Sequence, residues 1–264
     1  MTNFPLLKLP ALALHEVMKM MMPIEIFKLA MCSCQIESFL RHRKYKTDGL
    51  DVRLSDLNFR IYSNHPDDAQ EVEFLSTTSH SMESPIRKLE QLSDRFVSEN
   101  EQYMILTHAS LAEMFDIHRI LSDILYFPSM VWMLHIDQLQ HEQFFQVFLK
   151  ILKTEFTSLV LLNGLLCDSM LTEVLNNVPF TKSLEIGSDI PLNFNHPNAL
   201  NYTLINFREA RWVTLENLFS IRNGHTVMFH KTNFDCSDLN KFLRYWVDCD
   251  EFMLRNQTGV WHSI

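Results

Sequence analysis

The sequence predicts a mixed α/β (α+β) fold, with three short N-terminal helices followed by a domain of repeating strands and helices. The first observation is an apolar segment, Phe4 to Ser33, which has helical periodicity and is interrupted by prolines. The second is that short apolar runs recur from Thr107 onward, roughly every 25 residues, with amphipathic runs between them. We therefore expect two domains, residues 1–44 and 107–264, joined by residues 45–106.

The composition is typical of a globular protein and disfavours some classes of partner. The chain has 264 residues, of which 47% are apolar and 21% charged, and its formal net charge is −9. That charge disfavours nucleic acid as a partner, and the longest basic run, residues 41–44, is typical of a solvated helix end. No stretch suits a membrane span or a signal peptide. Five cysteines without a disulfide framework favour a reducing compartment, the cytoplasm or the nucleus.

The first helix is predicted by an apolar stripe with spacing i, i+3, i+4, i+7 and i+8. Its members are Leu14, Val17, Met18, Met21 and Met22. Pro10 suits the first turn of this helix, and Pro23 breaks it and opens a second one.

The second and third helices follow directly. Ser33 is a natural N-cap for the third helix. The predicted inner residues of the two helices are Ile26, Leu29, Ala30, Ile36, Phe39 and Leu40. Three helices in about forty residues make too small a core to be stable alone, so we expect them to pack against something else.

The same positions resemble an F-box. The matching residues are Leu9-Pro10, Leu14, Val17, Met22-Pro23, Ile26, Leu29, Cys32 and Ser33. The resemblance implies that this segment binds a Skp-family adaptor and, through it, a cullin. The implied adaptor-binding residues are Leu9, Pro10, Leu14, Val17, Met22, Pro23, Ile26 and Leu29. The alternative is an N-terminal helical hairpin that only packs on the rest of the protein.

The joining segment has three parts. Residues 45–55 are polar and predict a connection. Residues 58–62 and 71–75 alternate in polarity, and the turn residues 63–68 between them predict a hairpin. Residues 76–102 form a polar insert with a helix predicted around residues 86–96.

Six strand-like runs are predicted in the C-terminal domain. They are residues 131–134, 159–162, 183–186, 202–205, 226–229 and 251–254. Helical patterns fill most of the gaps between them, and the gap that contains Pro191 and Pro197 predicts a loop. This alternation is typical of a leucine-rich-repeat-like solenoid, with parallel strands on one face and helices on the other. A doubly wound α/β domain is the competing architecture.

The helical stripes of this domain predict its buried residues. The first is Phe145, Phe148, Leu149 and Leu152, and the second is Leu171, Val174 and Leu175, capped by Asp168 or Ser169. The third is Leu215, Leu218, Phe219 and Arg222, and the last is Leu239, Phe242, Leu243, Trp246 and Val247, capped by Ser237. We expect Phe242 and Trp246 to be buried.

A second resemblance lies in residues 211–246. Trp212 followed by a leucine run, then residues 237–240 leading into Phe242, Leu243 and Trp246, resembles the F-box-associated domain of the large nematode-type F-box family. That family also begins with Phe-Pro-Leu-Leu-x-Leu-Pro, as residues 4–10 do here. The resemblance implies a substrate-recruiting, non-catalytic subunit of a Skp–cullin–F-box ubiquitin ligase.

Catalytic and cofactor motifs are absent from the sequence, so we predict neither an enzyme nor a cofactor. The five glycines are scattered, and there is no Cys-x-x-Cys or His-Glu-x-x-His motif. Cys32 and Cys34 lie within the predicted helices, where a core role is favoured over metal binding. A non-ligase repeat-type binding protein remains an alternative function, and so does a cytosolic α/β enzyme with scattered His or Cys at its strand ends.

Target binding is predicted on the strand face of the repeat domain. Side chains that alternate with the core anchors are expected to project there, namely Glu185, Thr203, Met228 and His230. Arg244 and Tyr245, off the main stripe of the last helix, form a second predicted patch. The competing interpretation is that these are ordinary surface residues.

Overall fold

The computed structural model describes residues 8–47, 49–54, 58–65, 68–77, 96–98, 103–107, 111–221 and 226–248. The chain is mixed α/β, as predicted, and divides into two compact units, Met1–Met130 and Val131–Ile264. Among the residues described, no helix combines the length and the apolar character needed to cross a membrane.

Four helices of the first unit are described. They are α1 (Ala11–Lys19), α2 (Pro23–Cys32), α3 (Cys34–Arg43) and α4 (Leu111–Ile124). Pro10 directly precedes α1, Pro23 is the first residue of α2, and Ser33 directly precedes α3. The three helices therefore begin where predicted, although Pro10 occupies the N-cap position of α1 and not its first turn, and the Ser33 side chain makes no capping hydrogen bond.

Seven strands of the first unit are described. They are β1 (Tyr45–Lys46), β2 (Gly49–Arg53), β3 (Asn58–His65), β4 (Asp68–Thr77), β5 (Phe96–Ser98), β6 (Tyr103–Thr107) and β7 (Leu125–Tyr126). Five of them form a sheet in the order β2-β3-β4-β6-β5, which is antiparallel except for the β4–β6 pair. The short strands β1 and β7 pair separately, in parallel.

The predicted hairpin is confirmed, since β3 and β4 pair antiparallel, with Phe59 opposite Phe74 and Ile61 opposite Val72. Both strands are longer than predicted, so residues 63–65 and Asp68 belong to the ladder and not to the turn. Residues 86–95 of the predicted helix lie outside the described part of the chain, and Phe96 begins β5.

The prediction that residues 45–55 are only a connection is wrong. Tyr45, Leu50, Val52 and Leu54 are buried, and β1 and β2 carry the first three of them. The polar residues between them point to the other side of the strand, which is why the segment looked polar on average.

Helix α4 belongs to the first unit. Arg41 of α3 donates hydrogen bonds to Glu37, at 2.7 Å, and to Asp123 of α4. The backbone N–H of Thr47, directly after β1, donates to the Tyr126 carbonyl of β7 at 3.0 Å. These contacts tie α4 and β7 to the N-terminal helices, so the compact units divide after Met130, whereas the sequence predicted a boundary after residue 106.

The second unit alternates strands and helices. Its strands are β8 (Met130–His135), β9 (Ser158–Leu165), β10 (Ser183–Asp189), β11 (Leu204–Phe207) and β12 (Thr226–Phe229). Its helices are α5 (His141–Ile151), α6 (Asp168–Asn177), α7 (Leu215–Phe219) and α8 (Cys236–Asp248).

Strands β8 to β12 lie side by side in chain order, and every pair is parallel. The predicted parallel pairing is thus confirmed for these five, while the predicted strand at residues 251–254 lies outside the described residues. Residues 190–203 contain no helix, as the prolines there predicted. Strand β11 begins at Leu204, two residues later than predicted.

One face of the parallel sheet carries the core. Trp132, Leu159, Leu184 and Ile205 are aligned in register across four strands and are fully buried. Because each crossover moves to the next strand in the same direction and crossovers are right-handed, the connecting segments lie on this same face.

The helices complete that core, and α5 buries a different set of residues from the predicted one. In α5 the buried residues are Phe144, Val147, Phe148 and Ile151. Of the predicted stripe only Phe148 is therefore confirmed as buried, since Phe145 and Leu152 are half-buried and Leu149 is 50% exposed. Apolar residues are adjacent at each turn of this helix and make two overlapping stripes. The predicted α6 stripe of Leu171, Val174 and Leu175 is confirmed.

The last helix departs further from its prediction. Phe242 is buried as expected, but Trp246 is only half-buried, and Leu243 and Val247 are exposed. The N–H of Asp238 donates to the Asp235 carboxylate at 2.8 Å, so Asp235 and not Ser237 caps α8. Helix α6 follows Cys167 and has no side-chain cap, and Arg222 of the predicted third stripe lies outside the described residues.

Candidate functional site

The N-terminal helices leave apolar side chains exposed. Leu12 is 74% exposed and Met20 is 86% exposed, and Val17 and Met22 are also exposed. We call these four residues the apolar surface. At 100° per residue, Leu12 and Met20 point away from Leu14 and Met18, the buried residues of α1, whereas Val17 lies at the edge of the buried side, about 60° from Leu14. An exposed apolar cluster with polar neighbours is typical of a protein interaction site.

The polar neighbours of the apolar surface are held in place. Lys19 donates to Glu16 at 2.9 Å on the exposed side of α1. The Met22 backbone N–H donates to the Glu25 carboxylate at 2.8 Å, which fixes the start of α2. The chain thus holds Met22 at a defined position beside a helix N-terminus.

The predicted adaptor-binding residues divide into three groups by burial. Leu14, Pro23 and Ile26 are buried and belong to the local core. Pro10, Val17 and Met22 are exposed, and Leu9 and Leu29 are half-buried. Only the latter groups present surface to a partner, and the adaptor-binding role of all eight stays a prediction. The sequence did not single out Leu12, because it does not lie on the predicted stripe.

On the second unit, two predicted target-binding residues share a row of the parallel sheet. In register across the sheet lie Met133, Val160, Glu185, Asn206 and Met228. This row alternates with the buried row and therefore faces the opposite side. Glu185 and Met228 are half-buried there, and the Asn206 Oδ1 between them is buried without a hydrogen-bond partner in the described part of the chain.

Thr203 and His230 are placed differently from each other. Thr203 directly precedes β11 and is in phase with Ile205 and Phe207, which are buried on the core face. Thr203 therefore does not share the row of Glu185. The prediction took Tyr202 as the core anchor of this run, and Thr203 was therefore one residue out of phase with the buried positions of β11. His230 is exposed, and its N–H donates to the Phe207 carbonyl at 2.9 Å directly after β12.

The predicted patch on α8 is split by burial. Arg244 is exposed, whereas Tyr245 is half-buried with its ring 4.5 Å from the ring of Phe219 in α7. Tyr245 therefore helps to hold α7 and α8 together.

A polar cleft that the sequence did not predict lies at the carboxyl ends of the parallel strands. Its volume is about 290 Å3, and it is lined by Asn163, Gly164, Gly187, Asp189, Arg208, Glu209 and Lys231. We call it the strand-end cleft. Charged residues at or just after the ends of three strands, Asp189, Arg208 and Lys231, were the signal in the sequence, because parallel strands end at one edge of a sheet.

Ion pairs order the charges of this cleft. The Glu209 carboxylate is almost fully buried and accepts hydrogen bonds from Arg211, Nε at 2.6 Å and Nη2 at 3.0 Å. The Lys231 ammonium lies 3.6 Å from the same carboxylate. Hydrogen bonding and charge from Arg211 lower the pKa of Glu209, and the carboxylate in turn raises the pKa of Arg211.

Fold and surfaces together define a mixed α/β protein with a parallel strand–helix unit and two surfaces suited to binding. No family model matches the chain, and no solved structure matches it. The chain is similar to the Skn-1 dependent zygotic transcript 15 protein of Caenorhabditis elegans, with 30% identity over 87 residues. That match covers 31% of this chain and a quarter of the relative, 25% of its length, so it is a similarity to part of a nematode protein.

Proposed function

We propose that this chain is a non-catalytic, substrate-recruiting subunit of a Skp–cullin–F-box ubiquitin ligase, acting in the cytoplasm or nucleus. The observation that carries the proposal is the apolar surface at the N-terminal helices, where Leu12 and Met20 are largely exposed. Residues 9–33 resemble an F-box, and partial similarity to a nematode protein is in keeping with a nematode-type family.

The proposed adaptor contact is the burial of that surface. Removing a large apolar side chain from water stabilises a complex by about 1.5–3 kcal/mol when the burial is complete. Leu14, Ile26 and Phe27 support the surface from the local core, where they hold α1 and α2 in place. On this view the buried members of the motif act through folding and the exposed ones through contact.

The second unit is proposed to bind the target as an F-box-associated, leucine-rich-repeat-like domain. Parallel strands in chain order with helices between them support this, because such a stack leaves the other sheet face available. Ubiquitin transfer happens elsewhere in the ligase. The subunit contributes effective concentration and orientation of the target.

A second candidate is a repeat-type binding protein outside any ligase. The observation in its favour is that α3 is joined to α4 by the Arg41–Asp123 ion pair, so the N-terminal helices are an integral part of a larger unit. In that case the helices would serve only as part of the scaffold.

The test is co-purification of the full-length chain with a Skp-family adaptor. The double variant Val17→Asp, Met20→Asp places two charges on the apolar surface and should weaken adaptor binding at least about 100-fold, which is about 2.7 kcal/mol. The matched control is Leu192→Asp on the second unit, which changes a residue that is 61% exposed in the same way. Exposed positions are preferable to Leu14, whose replacement would also destabilise the core.

The result also separates the two candidates. Adaptor binding that the double variant loses and the control keeps supports the ligase subunit. A wild-type chain that fails to bind the adaptor favours the repeat-type binding protein, and equal binding by the double variant shows that the adaptor contacts another surface.

A further inference from the structure

The strand-end cleft has a backbone shaped for close approach. Among the described residues four have positive φ, and three of them, Asn163, Gly164 and Lys231, line this cleft. A Cβ at Gly164 would lie 2.7 Å from the Asp137 backbone nitrogen, and one at Gly187 would lie 2.9 Å from a methyl carbon of Leu162. A glycine adopts positive φ without strain, but Lys231 is held in a conformation that is uncommon for its residue type. Such conformations cluster at ligand-binding sites, where the surrounding structure holds them in place.

The charges of the cleft leave one cation uncompensated. Glu209 is satisfied by Arg211 in a two-point hydrogen bond, with Lys231 alongside. In the described part of the chain the Arg208 guanidinium has no hydrogen-bond or ion-pair partner, while its backbone N–H donates to Ile186 at 2.9 Å. Arg208 is exposed at the mouth of the cleft and is held by the sheet at its backbone.

The balance of charge favours an anionic ligand. The lining has two cations, Arg208 and Lys231, and two carboxylates, Asp189 and Glu209. Arg211, outside the lining, pairs with Glu209, so cations exceed carboxylates by one at this edge of a chain whose total charge is −9. A guanidinium presents paired N–H donors that match the oxygens of a carboxylate or a phosphoryl group. Lys231, 60% exposed and only loosely paired, adds a second cation at the same edge.

We propose that the strand-end cleft binds an oxyanion group, a carboxylate or a phosphoryl group, carried by a peptide segment of the target, with Arg208 as the main contact and Lys231 as the second. The statement that the anionic group belongs to a target protein rests on the proposed function. Glu209 is a positioning residue, since it orients Arg211 and Lys231 and has its own oxygens occupied.

The experiment uses the full-length protein and three small probes: N-acetyl-phosphoserine amide, N-acetyl-glutamate amide and N-acetyl-serine amide. Saturation-transfer NMR measures the binding of each probe. Arg208→Gln should weaken the anionic probes about tenfold and Lys231→Gln by less, whereas the neutral serine probe should bind to none of the proteins. Arg43→Gln, at an exposed arginine of the first unit, is the matched control and should bind as the wild type does.

The outcomes decide the proposal and its ligand source. Stronger binding of the phosphoserine probe assigns a phosphorylated target, and stronger binding of the glutamate probe assigns an acidic one. The proposal is overturned if neither anionic probe binds to the wild type at millimolar concentration. It is also overturned if Arg208→Gln and Lys231→Gln both bind the anionic probes as strongly as the wild type does. Adaptor co-purification of the same proteins keeps the two hypotheses apart, because an anion site can persist where adaptor binding fails.

Discussion

The two candidate surfaces differ in what they present to solvent. The N-terminal helices of the first unit expose Leu12 and Met20, whereas the second unit exposes Arg208 and Lys231 at its strand ends. An apolar surface gains free energy in proportion to the area it buries, so its binding should change little with salt. A charged cleft gains from a few placed hydrogen bonds, and its binding should weaken as salt rises. On the proposed function, the apolar surface would bind the adaptor through buried area, and the strand-end cleft would select the target through charge.

The largest expected effect tests whether the second unit depends on its buried sheet face. Trp132 is fully buried, and its indole N–H donates to Thr154 Oγ1 at 3.1 Å. Trp132→Ala should lower the free energy of unfolding by about 3–5 kcal/mol, measured by urea denaturation. Trp246→Ala, at a half-buried position on α8, should cost clearly less. Equal losses would mean that Trp246 carries as much of the core as Trp132.

A second prediction concerns the buried histidine of the first unit. His118 of α4 is buried, with Nε2 3.0 Å from the Met130 sulfur, and burial lowers its pKa from 6.5 to about 4. The unfolded chain therefore binds the proton more readily between these values, so stability is lost as pH falls from about 6.5 toward about 4. The loss should reach about 2 kcal/mol near pH 5 and about 3 kcal/mol at the lower end.

Urea midpoints near pH 7 and pH 5 measure this loss. His118→Leu removes the titrating group and should flatten the pH dependence, while His230→Leu, at an exposed position, should keep the slope of the wild type. An unchanged slope in His118→Leu would show that His118 binds protons equally in the folded and unfolded states over this range.

The smallest effect tests the charged cleft of the second unit. Arg211 and Lys231 lower the pKa of Glu209 below 4.5, so the stability it contributes is present above about pH 4.5 and is lost as pH falls through the folded value. Glu209→Gln should cost about 1 kcal/mol near neutral pH, because Arg211 is half exposed and its pairing is screened. The cost should shrink in acid. Glu185→Gln is the matched control, and a deficit that persists in acid would point to packing.

Local patterns were enough to predict the N-terminal helices. Pro10, Pro23 and Ser33 mark helix starts through backbone chemistry that does not depend on distant residues. Strand and helix alternation in the second unit was also readable, because Trp132, Leu159 and Leu184 recur with buried neighbours two residues on. Adjacent aromatic residues defeated the same reasoning in α5, where both Phe144 and Phe145 fitted a stripe and only packing selected Phe144.

The predicted binding residues show where sequence reasoning stops. Glu185 and Met228 lie in one row because their strands were predicted in the right phase. The strand at β11 was predicted one residue out of phase, so Thr203 is on the side of the buried residues. Arg208 and Glu209 were passed over because their meaning depends on neighbours from other strands. Glu209 pairs with Arg211, two residues further along the chain, and with Lys231, which follows β12, and local spacing does not identify the second of these pairs.

By itself, the sequence determined the mixed α/β class, the helix starts at the prolines and the parallel strand–helix alternation, since these follow from local backbone preferences and periodicity. The tertiary structure alone decided that α4 joins the first unit through Asp123, that Leu12 and Met20 remain exposed, and that the Arg208 side chain has no partner among the described residues. These outcomes depend on which distant side chains compete for the same space or the same charge. That competition is settled only when the chain packs.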